Sequence, residues 1–143
     1  MTVTENTTTF ESSETINSLS KKSVWIGCII GALPAIFLLV DGVMKLFKPE
    51  IVVKTTMELG YPESSIIPIG IVLLIATILY MIPQTAVLGA ILLSGYLGGA
   101  VATHVRVGAD LFPILFPAIL GVLVWVGLYL RDARLRALVP LRQ

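Results

Sequence analysis

The chain has 143 residues, of which 56% are hydrophobic and only 13% charged, and its formal net charge is +1. That apolar share exceeds what a soluble domain of this length needs to bury, and so small a net charge offers no basic field for nucleic acid. The single cysteine, Cys28, excludes an intrachain disulfide, a Cys-x-x-Cys redox pair and a thiolate metal cluster.

Residues 1–23 are rich in Thr, Ser, Glu and Asn, with too little apolar surface to offset the entropy of ordering them, which predicts an unstructured tail. The start is acidic and lacks an early apolar core, so no cleaved signal peptide is expected and the first apolar block stays as an anchor. Four blocks without a charged residue follow: Val24 to Val40, Ile66 to Ile82, Thr85 to Thr103 and Leu111 to Leu130. Blocks of this length rise roughly 25 to 30 Å as helices, about the thickness of a hydrocarbon core. With their flanks, the predicted spans cover about 24–47, 64–82, 84–106 and 111–130, and a basic tail occupies 131–143. The expected fold is therefore an all-α membrane protein, a four-transmembrane-helix bundle over 24–130. Cys28, inside the first block, is expected to be buried packing.

Between spans one and two, Pro49 opens and Gly60-Tyr61-Pro62 closes a segment with the punctuation of a short helix. Glu50, Lys54 and Glu58 recur every four residues on one side, and Val52, Thr56 and Leu59 fall on another, which predicts an interfacial helix on the outer membrane surface. Small residues mark helix contacts in lipid, where close backbone approach replaces the hydrophobic drive. Gly27 to Gly31 and Gly95 to Gly99 are GxxxG steps; the second lies in a nearly all-small stretch, which predicts a central third span and also allows self-association.

Four spans put both termini on one face, and the Pro83-Gln84 turn makes spans two and three an antiparallel hairpin. Six basic residues (Lys21, Lys22, Arg131, Arg134, Arg136 and Arg142) lie on the terminal face against four (Lys45, Lys48, Lys54 and Arg106) on the other. The positive-inside bias then predicts cytoplasmic termini, with Trp25, Tyr80 and Tyr129 at the inner headgroup layer.

The remaining ionisable residues near the spans gather on the opposite face. Asp41 stands at the C-terminal end of span one, where the helix dipole calls for a nearby cation, and Lys45 follows four residues later. Tyr96, Ala100 and His104 recur at four-residue steps, setting a phenol, a gap and an imidazole along one face of span three, with Arg106 just beyond. Two readings stay open: these charges anchor span ends at the membrane interface, or Asp41, Lys45, Tyr96, His104 and Arg106 form a ligand-binding set in a pocket at the outer face. A lone histidine completes neither a zinc site nor a two-histidine haem site, so no metal is expected, and no residue is assigned a catalytic role.

Three segments, Asp41-Gly42-Val43-Met44-Lys45, Leu59-Gly60-Tyr61-Pro62 and Gly95-Tyr96-Leu97-Gly98-Gly99-Ala100-Val101-Ala102-Thr103-His104-Val105-Arg106, resemble the DoxX-like family of small integral membrane proteins. The resemblance covers about Trp25 to Arg142 and implies a four-helix bundle of bacterial type in the plasma membrane. Some relatives are described as subunits of quinone-linked thiosulfate oxidation or of membrane oxidoreductase complexes. The chain has no residue set to carry electrons itself, so a redox role implies a quinone or a partner subunit. Two expectations follow: a membrane protein that binds a small amphipathic ligand or a partner at its outer pocket, and the membrane subunit of a quinone-linked oxidoreductase.

Overall fold

The computed structural model describes residues 2–138, with side chains described over 21–137. The elements are α1 (Thr2–Phe47), α2 (Glu50–Glu58), a 3-10 turn at Glu63–Ser65, α3 (Ile66–Met81), α4 (Ala86–Arg106), α5 (Leu111–Arg131) and α6 (Ala133–Leu138), with no strand among the described residues. Four stretches, Lys21–Phe47, Glu63–Met81, Ala86–Arg106 and Leu111–Arg131, are long and apolar enough to cross a membrane. Their outward surfaces are apolar as well: Trp25, Leu33 and Val122 are 72%, 63% and 61% exposed. Hydrocarbon outside and satisfied helical backbone inside is the arrangement that lipid demands, and the chain is an integral membrane protein.

The four long helices form a ring. α1 packs on α3 and α5, and α4 packs on the same two, so α1 and α4 face each other across a diagonal. No helix is central, and the expectation that span three would be is corrected: short antiparallel connections seat each span beside its chain neighbours, leaving no place inside the ring. Ala35, Leu38, Leu73, Ala76, Tyr80, Ala90, Leu93, Val124 and Leu128 form the core.

The two GxxxG steps part company. A Cβ on Gly127 would lie 2.6 Å from the Cα of Gly31, so α1 and α5 touch backbone to backbone along the Gly27–Gly31 step. A Cβ on Gly95, Gly98 or Gly99 would meet nothing within 4 Å. The second step therefore packs no helix within the chain.

Two further expectations are corrected. Cys28 is exposed, because Gly27 and Gly31 take the inward face of α1 and the next residue turns away from it. Tyr80 is fully buried, its hydroxyl donating to the Val124 carbonyl at 3.0 Å, so it ties α3 to α5 and does not anchor a headgroup layer. The Arg131 guanidinium sits 4.5 Å from the centre of its ring and donates to the Tyr80 carbonyl at 2.8 Å.

At the N-terminus the backbone is helical from Thr2, where composition had pointed to an unstructured tail over 1–23. Extending a span already formed carries no nucleation cost, so even indifferent helix formers can continue it. At the other end Asp132 accepts the Arg134 amide at 2.8 Å and starts α6, which buries Leu135. The last part of the expected basic tail, with Arg142, lies outside the described residues.

Candidate functional site

Asp41 and Lys45 are placed by the glycine between them. A Cβ on Gly42 would lie 2.8 Å from the Leu74 side chain, and one on Gly70 would lie 2.8 Å from the Lys45 Cβ. Gly42 thus presses α1 onto α3, and Asp41, one step round the helix, turns toward the bundle interior. The Lys45 ammonium donates to Asp41 Oδ2 at 2.5 Å, both groups being partly buried. The paired charges cancel, which is how a carboxylate so near hydrocarbon is accommodated.

Across the ring, α4 offers Gly95, Tyr96, Gly99, Ala100, Thr103 and His104 to the same space. His104 Nδ1 lies 2.8 Å from the Ala100 carbonyl. A carbonyl only accepts, so Nδ1 carries the proton and Nε2 is the ring's free nitrogen. Thr103 donates its hydroxyl proton to the Gly99 carbonyl at 2.8 Å, so the Tyr61 hydroxyl, 2.9 Å away, is the donor to Thr103 Oγ1.

Together these elements enclose a cavity of about 570 Å³. Phe37 and Leu38 of α1, Leu97 of α4 and Phe116, Pro117 and Leu120 of α5 form its deep, apolar part. Asp41, Lys45, Tyr96 and His104 supply polar groups toward the end that carries α2. Val52, Thr55, Thr56 and Leu59 of α2 and its C-terminal cap roof it. The face of α2 that alternates with its charge stripe therefore covers the cavity mouth.

Four of the five candidate residues, Asp41, Lys45, Tyr96 and His104, line this one cavity. Arg106 stands outside its walls. It is exposed, donates to the Leu59 carbonyl at 2.8 Å and lies 6.0 Å from the Tyr61 ring centre. Its part is to clamp the end of α2 to α4, alongside the Tyr61 hydroxyl; Lys48 and Glu63, 3.2 Å apart, tie the far side of the same loop. The residues that sequence reasoning passed over are Tyr61, Thr55, Thr56 and Thr103. Tyr61 carried a signal through the Gly60-Tyr61-Pro62 stop that fixes it over α4, and Thr56 through the face of α2 that it shares with Val52 and Leu59.

The three segments Asp41 to Lys45, Leu59 to Pro62 and Gly95 to Arg106 each contribute to the walls of this cavity. The DoxX-like family profile matches residues 29–127, which takes in all three. The chain belongs to the DoxX-like family. No curated protein and no solved structure matches it. The matched region of this DoxX-like protein holds almost the whole bundle, from Ile29 to Gly127.

Proposed function

We propose that this DoxX-like protein holds a small amphipathic molecule in the cavity beneath α2. The observation that carries the reading is the convergence of all three motif segments on one space with an apolar floor and polar groups near its mouth. The volume lies within the usual range for small-molecule sites, about 300 to 1,000 Å³. Because Lys45 cancels Asp41, the site suits an uncharged head bearing carbonyl or hydroxyl oxygens, with Tyr96 and His104 as its hydrogen-bonding partners and hydrocarbon among Phe37, Leu38 and Leu120.

Purification in mild detergent, organic extraction and mass spectrometry test this directly. The wild-type protein should carry a lipid-soluble molecule that His104→Ala and Tyr96→Phe variants lose, while their melting temperatures stay at the wild-type value. Variants that retain it unchanged would remove the site.

The same groups favour a second reading, membership of a quinone-linked oxidoreductase complex. A quinone carbonyl would be held by the Tyr96 hydroxyl, and its ring by the apolar floor. A quinone, when bound, would supply two-electron chemistry, with electrons from a partner subunit. This chain's residues would hold the carbonyl through the Tyr96 hydroxyl and exclude water from it. An extracted quinone decides for this reading, and another amphiphile decides against it.

The basic residues on the terminal face support cytoplasmic termini in a bacterial plasma membrane, which puts α2 and the cavity mouth on the outer side. On a Cys28→Ala background, an impermeant thiol reagent applied to intact cells should label Thr55→Cys and spare Gln143→Cys. The opposite pattern reverses the orientation.

A further inference from the structure

The cavity does not end at the bundle's inner surface. Gly95 and Gly99 both line it, yet both are exposed, and a side chain added at either would enter open space. Tyr96 and Ala100, the adjoining residues of the same wall, are only partly exposed. Going round α4 from Ala100 to Gly95, the wall passes from the interior to the outside of the protein without a helix covering it.

At the α2 end the situation differs. Thr55, Thr56 and Leu59 roof the cavity, and three ties hold that roof down: Tyr61 to Thr103, Arg106 to the Leu59 carbonyl, and Lys48 to Glu63. The outward face on which Gly95 and Gly99 sit also carries Leu88, Ile91 and Leu92, which are exposed apolar residues of a membrane span. Lipid covers that face, and water does not reach it.

From this contrast we infer that the cavity fills sideways from the bilayer, through an opening whose rim is Gly95 and Gly99. The inference rests on the ligand-holding function proposed above and narrows its substrate class to uncharged amphiphiles that partition into the membrane before they reach the protein. Glycine is what such a rim requires: any side chain at these two positions projects into the passage, while the helix itself gains nothing from their smallness, since no neighbour approaches there. Gly98 supplies an internal control, because it is equally open but does not line the cavity.

A small apolar diazirine dissolved in the lipid of proteoliposomes tests the route without any natural ligand. After photolysis and peptide mapping, the wild-type protein should be labelled at Leu38 and Leu120, which lie on α1 and α5, line the cavity and are only 2% and 7% exposed. A Gly95→Leu/Gly99→Leu variant should lose that labelling while keeping the labelling of lipid-facing Leu33 and Val122, and Gly98→Leu should keep both. Wild-type protein unlabelled at Leu38 and Leu120 overturns the proposal without reference to any variant. Floor labelling that persists in Gly95→Leu/Gly99→Leu overturns the route while leaving a molecule found by extraction in place. An empty extract with a floor labelled through the glycine rim does the reverse.

Discussion

Gly89→Ala and Gly127→Ala should each destabilise the bundle severely, whereas the same substitution at Gly95 or Gly99 should not. A Cβ on Gly89 would overlap the Tyr80 amide nitrogen and lie 2.5 Å from its Cα, and one on Gly127 would lie 2.6 Å from both the Cα and the nitrogen of Gly31. These are backbone atoms, which no rotamer change can move aside. Overpacking a core usually costs about 1 to 3 kcal/mol. Here α3 must part from α4, or α1 from α5, so the upper end of that range is expected for either variant. Gly95→Ala and Gly99→Ala meet no neighbour and remove the backbone freedom of glycine, a gain of roughly 0.5 to 1 kcal/mol in an ordinary helix. Thermal or denaturant unfolding in detergent micelles separates the four variants. Equal losses at all four positions would mean that Gly95 and Gly99 are packed after all.

That contrast also shows what the sequence made legible. The spans were readable because a bilayer imposes a minimum length and excludes charge, constraints that act on composition alone. The short helix α2 was readable from Pro49 and Gly60, whose positive φ of 83° sets the turn after it. The partners of each glycine were not readable. Gly27-x-x-x-Gly31 and Gly95-x-x-x-Gly99 are the same pattern, yet one closes a helix contact and the other meets no neighbour, and the difference lies in where the neighbouring helices stand. Tyr80 misled for a related reason: an amphipathic ring near a span end suits a headgroup layer or a buried hydrogen bond equally well, and only the position of the Val124 carbonyl decides.

The candidate site divides along the same line. Asp41 and Lys45 are paired by helix geometry, and Tyr96 and His104 share a face by helix geometry, so each pair followed from spacing alone. That the two pairs meet required the ring arrangement, which sets α1 diagonal to α4 and leaves a gap between them in the half of the bundle nearest α2. Arg106 fell outside because it lies two residues past His104, about 200° round the helix, and so points away from the space that His104 faces. Its guanidinium found the Leu59 carbonyl instead.

Tyr80→Ala should be the most disruptive large-to-small change in the protein. Four contacts meet at this one residue: its hydroxyl reaches the Val124 carbonyl, its backbone lies against Gly89, its hydroxyl oxygen fills the space beside Gly31, and Arg131 covers its ring. Truncation removes a fully buried aromatic side chain between α3, α5 and α1. Removing a buried aromatic side chain typically costs about 3 to 5 kcal/mol, and the upper half of that range is expected because glycines on the facing helices offer no side chain to fill the void. Tyr80→Phe, which keeps the ring, should cost about 1 kcal/mol for the lost hydrogen bond. Arg131→Ala should cost less in the Tyr80→Ala background than in the wild type, since the ring it covers is already gone; contacting residues of this kind commonly couple by about 0.5 to 3 kcal/mol. Tyr80→Trp distinguishes this packing role from interfacial anchoring. Indole serves a headgroup layer at least as well as phenol, so an anchor tolerates the change, whereas a side chain wedged against Gly31 and the Val124 carbonyl has no room for the second ring. Wild-type stability in Tyr80→Trp would therefore place the side chain at the membrane surface and undo the α1, α3 and α5 junction described above.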